Sequence, residues 1–451
     1  MNSILNRERE KNMEAVTLGL FIVGLLLCIG FNLSIFYALF LGLILFFAYG
    51  LYKKHSFFQM LKMTFEGMKT VKNVLFVFIM IGALTATWRA AGTIPYIIYY
   101  SSKLIYPQFF ILATFILCCF ISMLMGTSFG TSATMGVICM MMGKAMGLSP
   151  LWVGGAVLGG AFFGDRNSPM STSALLVSEL TGTSIFRNVR LMIKSAILPF
   201  IITCLIYLAA GLLMKPNGSS KDAVSLFAEH FNLVWVTVIP AALIIVLSAF
   251  KVSVKITVAV SIICGGIICM VFQNTDFITL LKIFAFGFKS SDKELSAMLN
   301  GGGIISMLKP SAIVLLSSSY SGIFEGTGLL NGLKKYIEVL SAKIKPFGVY
   351  IITSIFTTMI SCNQTLAIML THQLCGETME TKDEKALSLE NSAVVISPLI
   401  PWSIAGSVPL AAISAPTGSI LFASYLFLVP IIFYIFKLRK KRVLNKECIC
   451  S

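Results

Sequence analysis

Two stretches, GAFFGDRNSPMSTS (160–173) and LENSAVVISPLIPW (389–402), interrupt hydrophobic sequence with an acidic residue and a Ser-Pro step. Lipid offers no water to a freed backbone group. A broken helix and a carboxylate therefore survive at bilayer depth only inside protein or beside a wet cavity. Two such interruptions, one in each half of a chain, are the signature of the midplane site of a secondary carrier. Pro169, Pro398 and Pro401 are the expected breakpoints, because proline removes an N–H and clashes with the preceding turn.

The surrounding sequence reads as membrane protein. Of its 451 residues, 57% are hydrophobic and 12% charged, half of the roughly 25% charge of a soluble domain. Runs at 16–52, 190–214, 231–249, 254–273 and 419–436 reach or approach the roughly 17–25 residues that cross a bilayer. The expected fold is all-α and polytopic, with roughly 11–13 transmembrane helices in two inverted repeats and broken helices or hairpins at the midplane. The expected divisions are an N-terminal segment and first span (1–32), a first repeat (33–214), a connecting loop and span (215–253), a second repeat (254–436) and a basic tail (437–451).

The net charge of +16 comes from short loops: Lys53, Lys54, Lys62, Lys69 and Lys72; Arg187, Arg190 and Lys194; and the tail KLRKKRVLNK (437–446). That distribution argues for the positive-inside rule and a cytoplasmic C-terminus in the cell membrane, and against nucleic acid. Met1–Ala15 has no small-residue cleavage site after the first apolar run, so it reads as a start and not a removable signal. The eleven cysteines lie mostly in apolar runs, with no Cys-x-x-Cys pair and only three histidines. No resident metal or cofactor is expected from such spacings.

A repeat is legible. FFQMLKMTFEGMK (57–69) aligns with FITLLKIFAFGFK (277–289) at a constant offset of 220, with identity at Phe57, Leu61, Lys62, Gly67 and Lys69. Each copy follows a hydrophobic span and precedes another that ends in Gly-Thr, at Gly92-Thr93 and Gly326-Thr327. Ser168-Pro169 then answers to Ser397-Pro398. Both copies are basic on one side and apolar on the other, as suits a helix lying in the interface.

The candidate site gathers around the two interruptions. MGTSFGTSATMG (125–136) offers Thr127 and Ser128; its small and hydroxyl residues serve either close helix packing or an unwound cation-binding stretch. Asp165, followed by Arg166, ends a long apolar run and is the group suited to exchange a proton for a cation, with Ser168, Ser171 and Thr172 beside it. In the second half Asn363 and Gln364 are amides suited to hold a substrate or cap a broken helix. Glu390 and Ser397 complete the set, and Gly406 and Pro409 are expected to continue the irregularity.

IGALTATWRAAGTIPYIIYY (81–100), MGTSFGTSATMG, GAFFGDRNSPMS (160–171), GIFEGTGLL (322–330), CNQTLAIML (362–370) and LENSAVVISPLIPWSIAG (389–406) together resemble the NhaC family of sodium/proton antiporters. The resemblance covers most of the chain past residue 30 and implies an inverted-repeat carrier exchanging Na⁺, Li⁺ or another solute for protons. It also implies a scaffold beside a moving transport domain, often in a homodimer. The departures bear on cargo. Thr172 stands where the family has Asp, Leu175 where it has Asn, Cys362-Asn363 where it has Gly-Asp, and Ser403 where it has Asn. Fewer fixed negative charges suit a small organic acid or amino acid as an alternative to a bare cation.

Other classes lack their marks. An intramembrane enzyme needs a catalytic set such as His-Glu-x-x-His, and none occurs. No Walker motif occurs either, and a structural subunit has no use for repeated helix breaks.

Overall fold

The computed structural model describes residues 13–447 except 15, 26, 29–30, 32–33, 105, 215–226, 251, 291–295, 297–298, 330–343 and 376–377. The expected starting segment 1–12, part of the 215–253 connection and the end of the basic tail lie outside the described residues. Among those described, the chain is helical, and its one isolated bridge joins Phe288 to Gly301. The first half carries α1 (Val16–Leu25), α2 (Ile35–Tyr52), α3 (Phe57–Lys69), α4 (Lys72–Ala90), α5 (Thr93–Leu104), α6 (Pro107–Met125), α7 (Ser128–Thr131), α8 (Val137–Ala145), α9 (Pro150–Asn167), α10 (Thr172–Thr181) and α11 (Ile185–Leu213). The second half carries α12 (Ile239–Ala249), α13 (Val254–Phe272), α14 (Phe277–Phe286), α15 (Leu308–Thr327), α16 (Pro346–Ser361), α17 (Gln364–Cys375), α18 (Lys382–Glu390), α19 (Ala393–Ile396), α20 (Ile404–Ala412) and α21 (Ser424–Glu447).

The molecule is an all-α polytopic membrane protein. Among the described residues α4, α6, α11 and α13 are long and apolar enough to cross a bilayer alone. Lys382–Leu399 and Ile404–Ala412 are together long and apolar enough to cross, and meet at a bend of 54°. The remaining apolar helices are 10–17 residues long. Short and broken spans are tolerated because neighbouring helices, not lipid, surround their ends.

The two similar segments, 57–69 and 277–289, both form helices, α3 and α14. α3 begins with a capping box, in which Ser56 Oγ accepts from Gln59 N and Gln59 Oε1 accepts from Ser56 N. α14 begins with Asp276 accepting from Thr279 N at 2.9 Å. Each leaves large apolar side chains exposed, Phe57, Phe58 and Phe65 on one, Phe277, Ile278 and Phe286 on the other, as interfacial helices do. They sit at opposite ends of α4. α3 leads into its first turn, whereas Leu280 and Ile283 of α14 pack against Ala86 and Ala90 in its last. α13 runs parallel to α4, since Lys255 Nζ donates to Asn73 Oδ1 at 2.8 Å and Gln273 Nε2 to the Ala91 carbonyl at 3.3 Å.

Each half then folds a hairpin that turns back partway. α6 starts on a proline and stops at Gly126, φ 64°; α16 starts on a proline and stops at Cys362, φ 55°. A left-handed residue ends a helix by turning the next N–H back onto it, which glycine does without a Cβ penalty and cysteine does not. Of the two readings left open for the stretch after Gly126, close packing or an unwound stretch, the structure shows no unwound stretch from Ser128 to Gly136. The chain re-enters helix at once through α7 and a π turn, Ser132–Gly136. Thr131 and Thr134 spend their hydroxyls on the carbonyls of Thr127 (3.0 Å) and Gly130 (2.7 Å). Nor does irregularity extend past Ser403: Gly406 and Pro409 lie within α20.

The most extensive helix pairing joins α6 to α9 through glycine. A Cβ on Gly160 would lie 2.6 Å from Cys118 Cβ, and one on Gly164 would lie 2.1 Å from the Ser122 carbonyl carbon. Bare backbone on α9 lets α6 approach at that distance, the way helices associate where lipid supplies no hydrophobic drive. Phe115, Phe162, Tyr207 and Tyr425 fill the surrounding core.

Candidate functional site

α9 must end where it does. Pro169 has no N–H and pushes Ser168 out of helical geometry, to φ −94°, ψ 136°. Ser168 Oγ donates to the Met123 carbonyl at 2.9 Å, which ties the break to α6. Ser171 restarts the chain as the N-cap of α10. The left-handed turn at Gly126 lies against this break, with its Cβ position 2.6 Å from the Met170 carbonyl carbon. The second half repeats the arrangement. The Cys362 carbonyl accepts from Ile404 N at 2.8 Å, and Trp402 Nε1 donates to the Met359 carbonyl at 2.9 Å. Each hairpin tip thus seats against the broken span of its own half.

The halves meet at Asp165. Its carboxyl is 4% exposed and accepts from Ser171 Oγ at 3.4 Å and Ser173 Oγ at 3.2 Å within its own half. Across the boundary Gln364 Nε2 reaches Oδ2 at 3.3 Å and the Val394 carbonyl at 3.2 Å. The Ser128 backbone N–H also faces Asp165 from the first hairpin tip. Asn363 Oδ1 caps the second tip, accepting from Thr365 N at 2.9 Å.

A cavity of about 340 Å³ opens on this carboxyl. Thr127, Ser128, Asp165, Thr172, Asn363 and Gln364 line it, together with Thr70 and Val71 at the α3–α4 junction. Asp165 and Glu325 are the charged groups in its lining, and no basic residue of the described chain is among them. Hydroxyl, amide and carboxylate oxygens around one void are ligands for a hard cation or for an ammonium group.

Not every expected residue faces the cavity. Ser168 and Ser397 are turned inward; Ser397 Oγ bonds the Ala393 carbonyl at 2.6 Å and Thr358 Oγ1 at 3.2 Å. Pro169 lies in the first break, Pro398 in the 3-10 turn Ser397–Leu399, and Pro401 in the turn before α20. Glu390 is wholly buried away from the lining. Arg166 points away from Asp165. Its guanidinium donates to Asn167 Oδ1 (3.0 Å), the Met192 carbonyl (3.3 Å), Tyr425 Oη (3.3 Å), Ser195 Oγ (2.7 Å) and Asn391 Oδ1. It binds α9 to α11, α18 and α21, so an Asp165–Arg166 contact is not among the described ion pairs.

Three residues escaped the sequence reading. Ser173 holds both the side chain and the carbonyl of Asp165, a role signalled only by the density of hydroxyls after Pro169. Glu325, in GIFEGTGLL, brings a second carboxylate to the cavity from α15. Arg89 is buried beside Gly301 and Gly302, with Nε and Nη1 lacking an acceptor among the described residues, and lies outside the lining.

The sequence pattern of the Na⁺/H⁺ antiporter family matches residues 12–179 and 160–438. The chain is 28% identical over 388 residues to a malate-2H⁺/Na⁺-lactate antiporter of Bacillus subtilis, covering 82% of this chain and 81% of the relative. It is 27% identical over 390 residues to the Na⁺/H⁺ antiporter NhaC of Alkalihalophilus pseudofirmus, covering 82% and 83%. With the arginine/ornithine antiporter ArcD of Halobacterium salinarum it shares 24% over 369 residues, covering 77% and 75%.

Proposed function

The chain belongs to the Na⁺/H⁺ antiporter family, and from that premise we propose that it exchanges Na⁺ or Li⁺ for protons by alternating access around Asp165. The observation that carries the reading is the cavity lined by two carboxylates and no base, at the junction of two hairpin tips. A cation entering such a site is compensated by Asp165, whereas an anion would meet repulsion. Proton and cation compete for the same carboxyl, so each displaces the other and the two fluxes are linked. Thr127, Ser128, Thr172 and Asn363 supply neutral oxygens, and Gln364 and Ser173 orient the carboxylate.

We further propose that 33–214 and 254–436 are inverted repeats, which the placement of α3 and α14 at opposite ends of α4 supports. The basic residues Lys53, Lys54, Lys62 and Lys69 put the α3 end in the cytoplasm by the positive-inside rule. The basic tail KLRKKRVLNK (437–446) puts the C-terminus there too.

A second reading has its own support. The cavity is larger than a bare ion requires, and Thr172 and Asn363 are neutral. An amino acid with its ammonium group on Asp165, or an organic acid carried with a cation, fits the same walls. Proton flux in proteoliposomes holding a pH gradient separates the readings. Collapse of the gradient by Na⁺ or Li⁺ alone establishes cation antiport. Silence to cations, with a response to one amino or carboxylic acid, establishes the second reading. Normal exchange by Asp165→Asn, for either cargo, refutes both.

A further inference from the structure

Exchange at Asp165 leaves the second carboxylate of the cavity, Glu325, without a task. It stands in the last turn of α15, exposed, directly after the buried Ile323 and Phe324. It enters none of the described ion pairs. Lys309, the other charged residue of α15, is in the first turn and outside the lining. A carboxylate left out of the protein's own pairing at a membrane cavity acts on what passes through it.

The two carboxylates belong to different walls. Asp165 is held by Ser171, Ser173 and Gln364, from the first break and the second hairpin tip. Glu325 shares its wall with Ser321 and with Thr70, Val71 and Val74 at the α3–α4 junction. Bare backbone ties that wall together. A Cβ on Gly322 would lie 2.0 Å from the Met63 carbonyl oxygen, and one on Gly67 would lie 2.4 Å from that of Ser318. None of the described hydrogen bonds of Asp165 reaches Glu325, so Glu325 acts on a ligand across the void and not through the Asp165 cage. A sphere of about 340 Å³ is about 9 Å across, and over that span a unit charge changes the local concentration of a univalent ion roughly two- to twentyfold, between the dielectric of water and that of a protein surface.

Asp165 cannot supply this attraction when it is needed. A carrier that has given up its cation holds a proton on Asp165, and the carboxyl is then neutral. Glu325 stands outside that exchange and faces the void throughout. We propose that Glu325 is the charge-selecting residue of the cavity: it draws a cation to the proton-loaded carrier and turns anions away, whereas Asp165 alone exchanges cation for proton. The inference rests on the reading of the cavity given above. For an organic acid it imposes an order, cation first and anion second, because the anion meets Glu325 until a cation has entered.

Two measurements on the full chain test this. In proteoliposomes, Glu325→Gln should raise the Km for Na⁺ roughly two- to twentyfold with kcat kept, and Glu325→Asp should keep the wild-type value. Added choline chloride should raise the Km of wild type and leave that of the Gln variant level, since salt screens only a charge that is present. The second readout needs no transport. Thr172→Cys, at an exposed lining position on the Asp165 wall, is labelled with a cationic and an anionic methanethiosulfonate of similar size, and mass spectrometry of its peptide gives the two rates. Adding Glu325→Gln should lower the cation-to-anion rate ratio by a factor of about four or more, because it slows one reagent and speeds the other alike. Glu325→Lys, which reverses the charge, should move both readouts further and serves if the Gln variant fails to fold. An unchanged labelling ratio overturns the proposal. So does an unchanged Km for Na⁺, whatever the kcat. If wild type shows no Na⁺-driven flux, the antiport reading falls, and the labelling ratio alone decides whether Glu325 selects charge.

Discussion

Gly164→Ala places a methyl group 2.1 Å from the Ser122 carbonyl carbon and 2.3 Å from Met123 N. These are backbone atoms, so no rotamer change makes room. Restoring ordinary contact at 3.4 Å requires α6 and α9 to part locally by about 1.3 Å, the difference between 3.4 and 2.1. A gap of ~0.5–1 Å forfeits a quarter to a half of each dispersion contact along the seam, and overpacking of this kind costs ~1–3 kcal/mol. Alanine's better helix propensity returns up to ~1 kcal/mol, leaving a net loss of up to ~2 kcal/mol. Gly159→Ala is the control on the same helix, because its Cβ would meet Tyr207 Oη and Tyr425 Cβ at 3.5 Å. There only the propensity gain remains. Thermal unfolding of the purified protein should therefore separate the two variants by about 2 kcal/mol, with Gly159→Ala the more stable. Proteoliposome exchange should fall only in Gly164→Ala, since the next residue is Asp165. Equal stability and equal exchange in the two variants would refute the account of the seam.

Three further outcomes are expected. Asp165→Asn removes a unit charge that acts on a cation at about 4 Å with about 4 kcal/mol at an effective dielectric near 20, so cation affinity should fall about a thousandfold by direct titration. Gln364→Leu deletes a hydrogen bond to a charged group worth ~1.5–3 kcal/mol; the apparent Km should rise roughly ten- to a hundredfold with less change in kcat, and an unchanged Km counts against Gln364 as the orienting residue. Breaking the half-exposed Arg187–Asp383 pair with Arg187→Ala should shift stability by no more than ~1 kcal/mol despite its 2.6 Å separation, which thermal unfolding can check.

The breaks at Pro169, Pro398 and Pro401 were legible because proline removes an N–H, although the same residue at 409 lies within α20. Ser-Pro at 168–169 and 397–398 located both interruptions, and the hydropathy located the spans. The copies at 57–69 and 277–289 were legible as short segments with an apolar side, and the structure makes them helices with exposed phenylalanines over Phe57–Lys69 and Phe277–Phe286. What could not be read was direction. Hydroxyls after Gly126 left packing and an unwound stretch equally open, and Thr131 and Thr134 satisfy the helix they sit in. Arg166 adjoins Asp165 in sequence, but the end of a helix sends consecutive side chains to different faces, and it serves the core instead. Glu325 lies in the chain 160 residues beyond Asp165, and only the packing of α15 brings both to one cavity.

Lying in the membrane interface, as we propose for them, α3 and α14 have a consequence for the lipid. α4 has 19 residues, hence a length of about 28 Å at 1.5 Å per residue, close to the ~30 Å hydrocarbon thickness of a bilayer. With α3 entering its first turn and α14 packed on its last, the exposed phenylalanines form two plates held at a fixed spacing by a helix that cannot stretch. A thicker bilayer must thin around them and a thinner one must swell, at a fraction of a kcal/mol per ångström. The acyl-chain length of the host membrane is thereby a mechanical load on the carrier, independent of any gradient across it.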